Sequence, residues 1–344
     1  MDGVVGMVLA AGLGTRLRPL TDLLPKPAVP VAGLPLVQLA FGRMHAAGIR
    51  RVVVNTHHLA SEMARVATEA AHAAGVALAI SPEPIIAGTG GALREARSHL
   101  AGAGLVVLWN GDIVFDVDLL PILAAHRKSQ ALATMVLAPM PPGASYASVD
   151  VDHGMAVRRI AGLGPGGDAL VPLHFTGVHV LSPALLDHVP SSPFACDVNR
   201  RVYAPLLASG QVRGVMATGY WNDLGTPERY LAANLDLLAG RAHAASRGAD
   251  PFAGLHARGS RVFVAEGAKV DPSAQLSGPV MVGSGAVVEA GAKVGPEAVI
   301  GAGCRVGRGA EVERAVVWAG TVVAPGERLS MTVAAGEHRV PAGS

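Results

Sequence analysis

From Val264 onward the chain repeats every six residues, and no other feature constrains its fold as tightly. Stepping by six from Val264 gives Val270, Leu276, Val282, Val288, Val294, Ile300, Val306, Val312 and Trp318, all apolar. Four residues beyond each of these sit Ala268, Ala274, Val280, Ala286, Ala292, Ala298, Cys304, Ala310, Val316 and Val322, all small and apolar. Glycine fills many of the turn positions between them. Such a hexad predicts one short strand and one turn, and three hexads close a triangular coil whose inward side chains stack on those of the next coil. The segment is expected to form a parallel β-helix of about three coils. A disordered Gly/Ala/Val-rich tail would not keep ten registers unbroken. Cys304 falls on a stacked position and reads as a small core residue.

The preceding residues have a different texture. Val4–Leu9, Arg51–Asn55, Val76–Ile80 and Leu105–Trp109 read as buried strands, with helices expected at Leu36–Ala47, Leu59–Ala73 and Gly91–His99. Strand and helix alternating at this spacing imply a parallel sheet wound on both faces. Further strands are expected at Leu132–Leu137, Ser148–Val151, Phe175–Leu181 and Val212–Ala217, and helices at Pro183–Val189, Val198–Ser209 and Pro227–Leu238. Residues 241–260 lose all periodicity and read as a linker between a domain at 1–240 and the repeat domain at 261–344.

Composition excludes several functions. A formal net charge of +2 and the lack of any long basic run argue against nucleic acid. No apolar run is long enough to span a bilayer, and Asp2 stands where a signal peptide wants a base, so a cytoplasmic location is expected. Two cysteines, Cys196 and Cys304, cannot build a disulfide framework, which fits a reducing compartment.

The chemistry starts after the first strand, in "LAAGLGTRLRPLTDLLPKP", Leu9 to Pro27 with Val8 preceding. A glycine-rich loop between a strand and a helix points successive backbone N–H groups into one space, where phosphate oxygens fit. The loop lacks the Walker A pattern, and Leu17 stands where a dinucleotide fingerprint needs its third glycine. Arg16 and Arg18 lie in the loop and Lys26 follows, clamped by Pro25 and Pro27. Lys26 is one of only four lysines among 28 basic residues. A compact ammonium on a stiffened backbone suits a point contact with phosphate.

This segment resembles the signature of sugar-1-phosphate nucleotidyltransferases, also called NDP-sugar pyrophosphorylases. "AGTGGAL" at Ala87–Leu93, "NGDIVFD" at Asn110–Asp116 and "YWNDLGTPERY" at Tyr220–Tyr230 resemble further family motifs in the same order, so the likeness spans residues 3–238. The repeat domain also occurs in the family, as a left-handed β-helix of hexapeptide repeats. The resemblance implies an α/β fold with a Rossmann-like, mostly parallel sheet and helices on both faces, followed by that parallel β-helix. It implies nucleotide contacts from Leu9, Ala10, Ala11, Gly12, Gly14, Thr15, Arg16, Gly88, Thr89 and Gly90, with Arg16, Lys26 and Asp112 catalytic. It further implies substrate contacts from Asn110, Tyr146, Arg158, Thr176, Gly177 and Asp223, and Mg²⁺ held by Asp112 and Asp223.

The implied reaction joins an NTP to a sugar 1-phosphate and releases pyrophosphate. Two polyanions must meet, so neutralisation and in-line positioning dominate the protein's task. Mannose-1-phosphate guanylyl transfer is the expected activity. The alternatives are uridylyl transfer to a muramic or heptose derivative, or a silent NDP-sugar-sensing subunit. The expected partners are these small molecules and further copies of the chain, with no nucleic acid and no membrane. Many members carry a Glu-Lys-Pro lysine on the sugar phosphate; residues 156–181 contain no lysine, and Arg158 or Arg159 is the candidate substitute. Tyr146-Ala147 likewise replaces the family's Tyr-Gly. His57, His58 and Glu62 have helix-like spacing but read as surface or loop residues.

Overall fold

A computed structural model describes residues 3–143, 146–192, 194–243, 248–257, 259 and 261–343. By density of contacts the chain divides into two units, Met1–Gly12 with Ala40–Trp221, and Leu13–Leu39 with Asn222–Ser344.

In the first unit, apolar runs become strands and the segments between them helices: β1 (Val4–Leu9), α1 (Leu36–Ala46, which begins in the other unit), β2 (Arg51–Thr56), α2 (Ala60–Ala74), β3 (Ala77–Pro82), α3 (Gly88–Glu95) and β4 (Leu105–Asn110). These follow the periodicity to within a few residues. Then come α4 (Leu119–Ser129), β5 (Ala133–Ala138), β6 (Ser148–Val151), β7 (Val157–Ile160), β8 (Val171–Leu181) and β9 (Val212–Met216). The sheet runs β7-β6-β8-β4-β1-β2-β3, with β5 beside β8 and β9 beside β5. Strands β4, β1, β2 and β3 are parallel, as the spacing predicts. Strand β8 is antiparallel to β4, β5 and β6, so the sheet is mixed rather than parallel throughout. Pro183–His188 forms only 3₁₀ turns, and the helix expected over Val198–Ser209 is a π-type turn, Asn199–Tyr203, followed by Ala204–Leu206.

Both faces of the sheet are covered. Val5 and Met7 pack in one core with Ala92 and Leu93 of α3. Gly6, pointing the other way as strand alternation requires, leaves room for Met44 of α1; a Cβ there would lie 2.4 Å from the Met44 sulfur. Glycine is needed in this strand because a helix side chain occupies the space.

The second unit contains the repeat. Strand pairs Val262–Val264 with Val280–Val282, Lys269–Val270 with Val287–Val288, and Gln275–Leu276 with Lys293–Val294 recur at eighteen residues, three hexads per coil. Among the described residues two faces carry four rungs and the third five, Val262–Ala265, Val280–Val282, Ala298–Ile300, Ala315–Val317 within Glu311–Val317, and Thr332–Ala334 within Arg328–Ala335, rather than about three. The sixfold register does not run unbroken to Trp318. Val294 pairs with Val312, but Ala298 pairs with Ala315 and Ile300 with Val317, one residue early. Arg314 between them has φ 44°. Val317 therefore fills the core position that the strict period assigns to Trp318, the buried Thr321 takes the place assigned to Val322, and Val322 is 54% exposed. Cys304 is a buried core residue, its thiol pushed up by burial.

Trp318 takes a different partner. Helix α5 (Pro227–Leu238) lies against the repeat strands. Its start is legible locally: Thr226 caps the Arg229 N–H, Pro227 occupies the first turn and Glu228 suits the dipole. The indole N–H of Trp318 donates to the Tyr230 hydroxyl at 2.8 Å, and that hydroxyl donates to the carbonyl of Pro30. Asn234 accepts from the Ala32 N–H at 2.8 Å. One buried helix face thus ties the Pro30–Pro35 hairpin to the repeat. Of the expected linker, 244–247, 258 and 260 lie outside the described residues, and Leu255–Ala257 is a strand antiparallel to Val262–Ala265. Among the described residues no helix is long and apolar enough to cross a membrane.

Two buried histidines of the first unit are held neutral. Burial, with Arg127 nearby, lowers His126 to about 4; it bonds Thr134 at 2.8 Å and Ser182 at 3.0 Å. Burial alone lowers His179 to about 3, beside the Tyr203 hydroxyl. In the unfolded chain both take protons near pH 6.5, so the unfolded state binds more protons below that value. Stability should be full above pH 6.5 and fall by roughly 1.4 kcal/mol per pH unit per histidine as pH drops toward 4. Denaturant titrations at pH 7.5, 6 and 5 measure this; a flat profile would contradict the assignment.

Candidate active site

In the first unit the parallel register sets the site. Leu9 pairs with Asn55 of β2 on one side and with Asn110 of β4 on the other, and Asn55 pairs with Ser81 of β3. Four strands thus end at one level, and their loops leave the same edge. Beyond β1 the order reverses: the chain winds outward through β2 and β3, then returns to place β4 on the opposite side. At such a switch point the crossovers diverge and leave a crevice outside the carboxyl ends.

The β1 loop, Ala10–Gly12, opens at that switch. The Ala10 N–H donates to Asn55 Oδ1 at 2.7 Å. Gly12 does not need positive φ, and among the described residues no atom lies within 4 Å of where its Cβ would be. Its missing side chain is not explained by packing; a ligand approaching the backbone would require it.

The "AGTGGAL" segment forms the start of α3. Gly88 has φ +72°, and a Cβ there would meet the Cys196 carbonyl oxygen at 2.8 Å. That carbonyl accepts from the N–H groups of Gly90 at 2.8 Å and Gly91 at 3.2 Å, while the Cys196 N–H donates to Ala87. Thr89 Oγ1 accepts from the Val198 N–H at 2.9 Å. These glycines are therefore accounted for by the 196–198 segment packed on them.

Two polar residues missed in the sequence lie between these loops. Asn55 and Glu83 are buried, at 2% and 3% exposure. Asn55 Nδ2 donates to Glu83 Oε1 at 2.7 Å, and Glu83 Oε2 accepts from the Ala87 N–H at 2.9 Å. The available signals were an asparagine ending an apolar strand and a glutamate between prolines in "SPEPII".

On the other side of β1, the Gly111 N–H donates to the Leu9 carbonyl at 2.9 Å, carrying the chain to the half-buried Asp112. Gly177, with φ +91°, sits where β8 bulges, and its Cβ position lies 3.1 Å from Asn110 Nδ2. Asn110 and Gly177 are thus brought together. Thr176 is fully buried, its hydroxyl donating to the Val136 carbonyl at 2.8 Å and its carbonyl accepting from the Trp221 indole at 2.6 Å. Tyr146 stacks near His174 at 4.5 Å and Trp221 at 5.6 Å between ring centres. Arg158 grips Asp152 at 2.8 Å across the β6–β7 turn. Burial opposes the charge of Asp152, but the Ala156 N–H, Arg158 and the Gly154 N–H outweigh it and hold the carboxyl below its usual range. Asp118 caps α4, where an acid complements the helix dipole, whereas Asp116 pairs with Arg43 at 2.5 Å. His57 bonds the Glu83 carbonyl and Glu62 pairs with Arg65, and among the described residues neither belongs to a group of metal-ligating side chains.

The second unit holds Gly14, Thr15, Arg16, Lys26 and Asp223. Gly14 has φ +62°, and the Thr21 hydroxyl donates to its carbonyl at 2.9 Å. The Gly14 Cβ position is 3.4 Å from Lys26 Cβ, so Gly14 and Lys26 adjoin. Lys26 opens a 3₁₀ turn, Lys26–Ala28, with Pro25 fixing its entry and Pro27 its second position; its side chain is buried. Asp223 pairs with Arg229. Arg16 Nη1 and Asp223 Oδ2 lie 3.1 and 3.3 Å from the Cβ position of Gly225, so this glycine keeps space between a cation and a carboxylate. Among the described residues no three acidic, histidine or cysteine side chains cluster as a complete metal cage. Asp112 in the first unit and Asp223 in the second are both carboxylates, the hard oxygen donors that Mg²⁺ prefers.

Residues 5–240 match the profile of the family described as Nucleotidyl transferase. The chain is 32% identical over 288 residues to the mannose-1-phosphate guanylyltransferase of Mycobacterium tuberculosis, covering 82% of this chain and 76% of that protein. It is 34% identical over 244 residues to the N-acetylmuramate alpha-1-phosphate uridylyltransferase of Caulobacter vibrioides, covering 68% and 96%. A solved Bacillus anthracis structure, assigned provisionally as a glucose-1-phosphate thymidylyltransferase in complex with sucrose, matches the fold with a TM-score of 0.58 at 18% identity, over 71% of this chain and 98% of that one.

The two loop glycines should respond differently to a methyl group. Gly14→Ala puts a Cβ at positive φ, 2.8 Å from Thr21 Cγ2, and should destabilise by about 1–2 kcal/mol. Gly12→Ala should leave the melting temperature unchanged. Equal shifts for both would show that Gly12 is structural.

Proposed function

Because the chain belongs to the nucleotidyl transferase family, we propose that it transfers a nucleotidyl group from an NTP to a sugar 1-phosphate, with mannose 1-phosphate and GTP as substrates. The observation that carries the reading is the backbone loop at the β1/β4 switch point, where Gly12 leaves open space that packing does not require. Guanylyl transfer is favoured because the mannose-1-phosphate guanylyltransferase match extends into the repeat, to 82% of the chain. Uridylyl transfer to a muramic acid 1-phosphate is the second reading. It is supported by the 34% identity to the uridylyltransferase and by the absence of a lysine over residues 156–181.

The work assigned to each residue follows from charge. Leu9 and Ala10, the latter with its N–H on Asn55, set the start of the loop. Backbone N–H groups of Ala11–Thr15 face the phosphates of the nucleotide, and Arg16 neutralises the triphosphate. Lys26, its backbone fixed by two prolines, meets the reacting phosphates as a compact charge that needs little reorganisation. Gly88, Thr89 and Gly90 shape the base pocket. Asn110, Tyr146 and Gly177 contact the sugar, and Arg158 takes the place of the missing lysine. An oxygen of the sugar phosphate attacks the α-phosphorus, the bond to the β-phosphate oxygen breaks, and pyrophosphate leaves. Asp112 and Asp223 are the proposed ligands of Mg²⁺, which when bound supplies further charge neutralisation on the phosphates. Thr176 contributes through its place in the β8 bulge, because its hydroxyl is already bonded.

The partition into a catalytic domain at 1–240, a linker at 241–260 and a repeat domain at 261–344 is likewise proposed, with the repeat as an assembly module and a cytoplasmic location. Sedimentation of the full chain tests assembly, a monomer mass being the negative result.

Pyrophosphate formation from a panel of triphosphates against a panel of sugar 1-phosphates tests the activity. GTP with mannose 1-phosphate should be the best pair; selection of UTP with a muramic acid 1-phosphate would install the second reading. Asp112→Asn should lower turnover by at least about a hundredfold with the melting temperature retained. Undiminished turnover would remove Asp112 from the reaction.

A further inference from the structure

We propose that Asn55 and Glu83 are positioning residues that fix the β1 loop against the loop opening α3, and so set the affinity for the nucleotide. This rests on the reading that the β1 loop carries the nucleotide. The two side chains form one relay. The Ala10 N–H donates to Asn55 Oδ1 at 2.7 Å, Asn55 Nδ2 donates to Glu83 Oε1 at 2.7 Å, and the Ala87 N–H donates to Glu83 Oε2 at 2.9 Å. The backbone of Glu83 is itself held, its N–H donating to the Thr56 carbonyl at 2.7 Å and its carbonyl lying 2.8 Å from His57 Nδ1.

The relay has a fixed polarity. Asn55 must accept at one end and donate at the other, which an amide does and a carboxylate does not. Glu83 must accept at both ends, which a carboxylate does and an amide does not. A buried carboxylate normally sits beside a cation. Among the described residues Glu83 has no ion pair, and two neutral N–H donors hold it. A simple structural spacer at this place would be cheaper as an apolar residue. The α3 loop is also clamped from its other side, where the Cys196 carbonyl accepts from Gly90 and the Cys196 N–H donates to Ala87. With both sides held, the spacing of the loops depends on the Asn55–Glu83 bond.

Polarity makes the test a swap. Asn55→Asp alone sets two carboxylates against each other. Glu83→Gln alone leaves a donor facing a donor, whichever way the new amide turns. Combined, they restore all three bonds: the new carboxylate accepts from the Ala10 N–H and from the new amide, whose oxygen accepts from the Ala87 N–H. The wild type, both single variants and the double variant are assayed well below their melting temperatures, with whichever of GTP or UTP the wild type turns over. Each single variant should raise the nucleotide KM by about tenfold or more, with kcat and the sugar-phosphate KM changed by less than about threefold. The double variant should regain most of both the nucleotide KM and the melting temperature. Single variants that melt lower yet keep the wild-type nucleotide KM would overturn the inference, leaving the pair purely structural. A double variant as impaired as the singles would overturn the relay. Gly12→Ala separates this from the functional reading, because among the described residues no packed atom lies within 4 Å of the added Cβ. If it raises the nucleotide KM while the single variants do not, only the positioning role falls. If it leaves the nucleotide KM unchanged, the β1 loop is not the nucleotide site and both ideas fall.

Discussion

Strand β1 is hydrogen-bonded along its length to β2 on one side and β4 on the other, in a register that sets its last residue, Leu9, level with Asn55 and Asn110. A right-handed crossover out of a parallel strand must cover one face of the sheet. Winding outward and then back therefore puts α1 and α3 on opposite faces, and the side chains record it: Gly6 yields to Met44 of α1, while Val5 and Met7 meet α3. The carboxyl end of β1 is left between the two, bare of crossover chain. Backbone N–H groups there have no strand to bond, which is the condition for binding an anion without large side chains.

The antiparallel strand β8 adds to that edge. Its bulge at Gly177 brings the backbone to within van der Waals distance of Asn110 at the end of β4. Because β8 runs antiparallel to β4, with Val178 opposite Trp109, the residues before Val178 pass this edge as the strand enters the sheet. The departure from a purely parallel sheet is thus where the candidate sugar-contacting residues gather.

In the second unit, the hydroxyl of Tyr230 is the corresponding fixed point. Burial raises its pKa well above the ordinary phenol value and leaves it a neutral donor and acceptor. It therefore needs partners, and it finds them in Pro30 and Trp318, chain segments far apart in sequence. The one-residue slip of the repeat after Val312 frees Trp318 from the β-helix core, since an indole is too large for the alanine and valine layers that continue with Val317 and Val323. The same helix carries Arg229 onto Asp223, so its start and its buried face serve different neighbours.

Much was legible in the sequence because it depends on local period and local chemistry. Alternation of apolar strands and amphipathic helices identified β1 to β4; the hexad identified the repeat; and "TPER" carries its own helix start. The glycine, arginine and lysine motifs pointed to phosphate because few other ligands call for that combination. Tertiary structure decided what depends on partners distant along the chain. The sense of β8, the slip at Arg314, the binding of Trp318 to Tyr230 and the relay from Ala10 through Asn55 and Glu83 to Ala87 all arise from contacts between segments whose separation no periodicity encodes. A polar side chain in an apolar run reports that it needs a partner, and only the folded chain says which one.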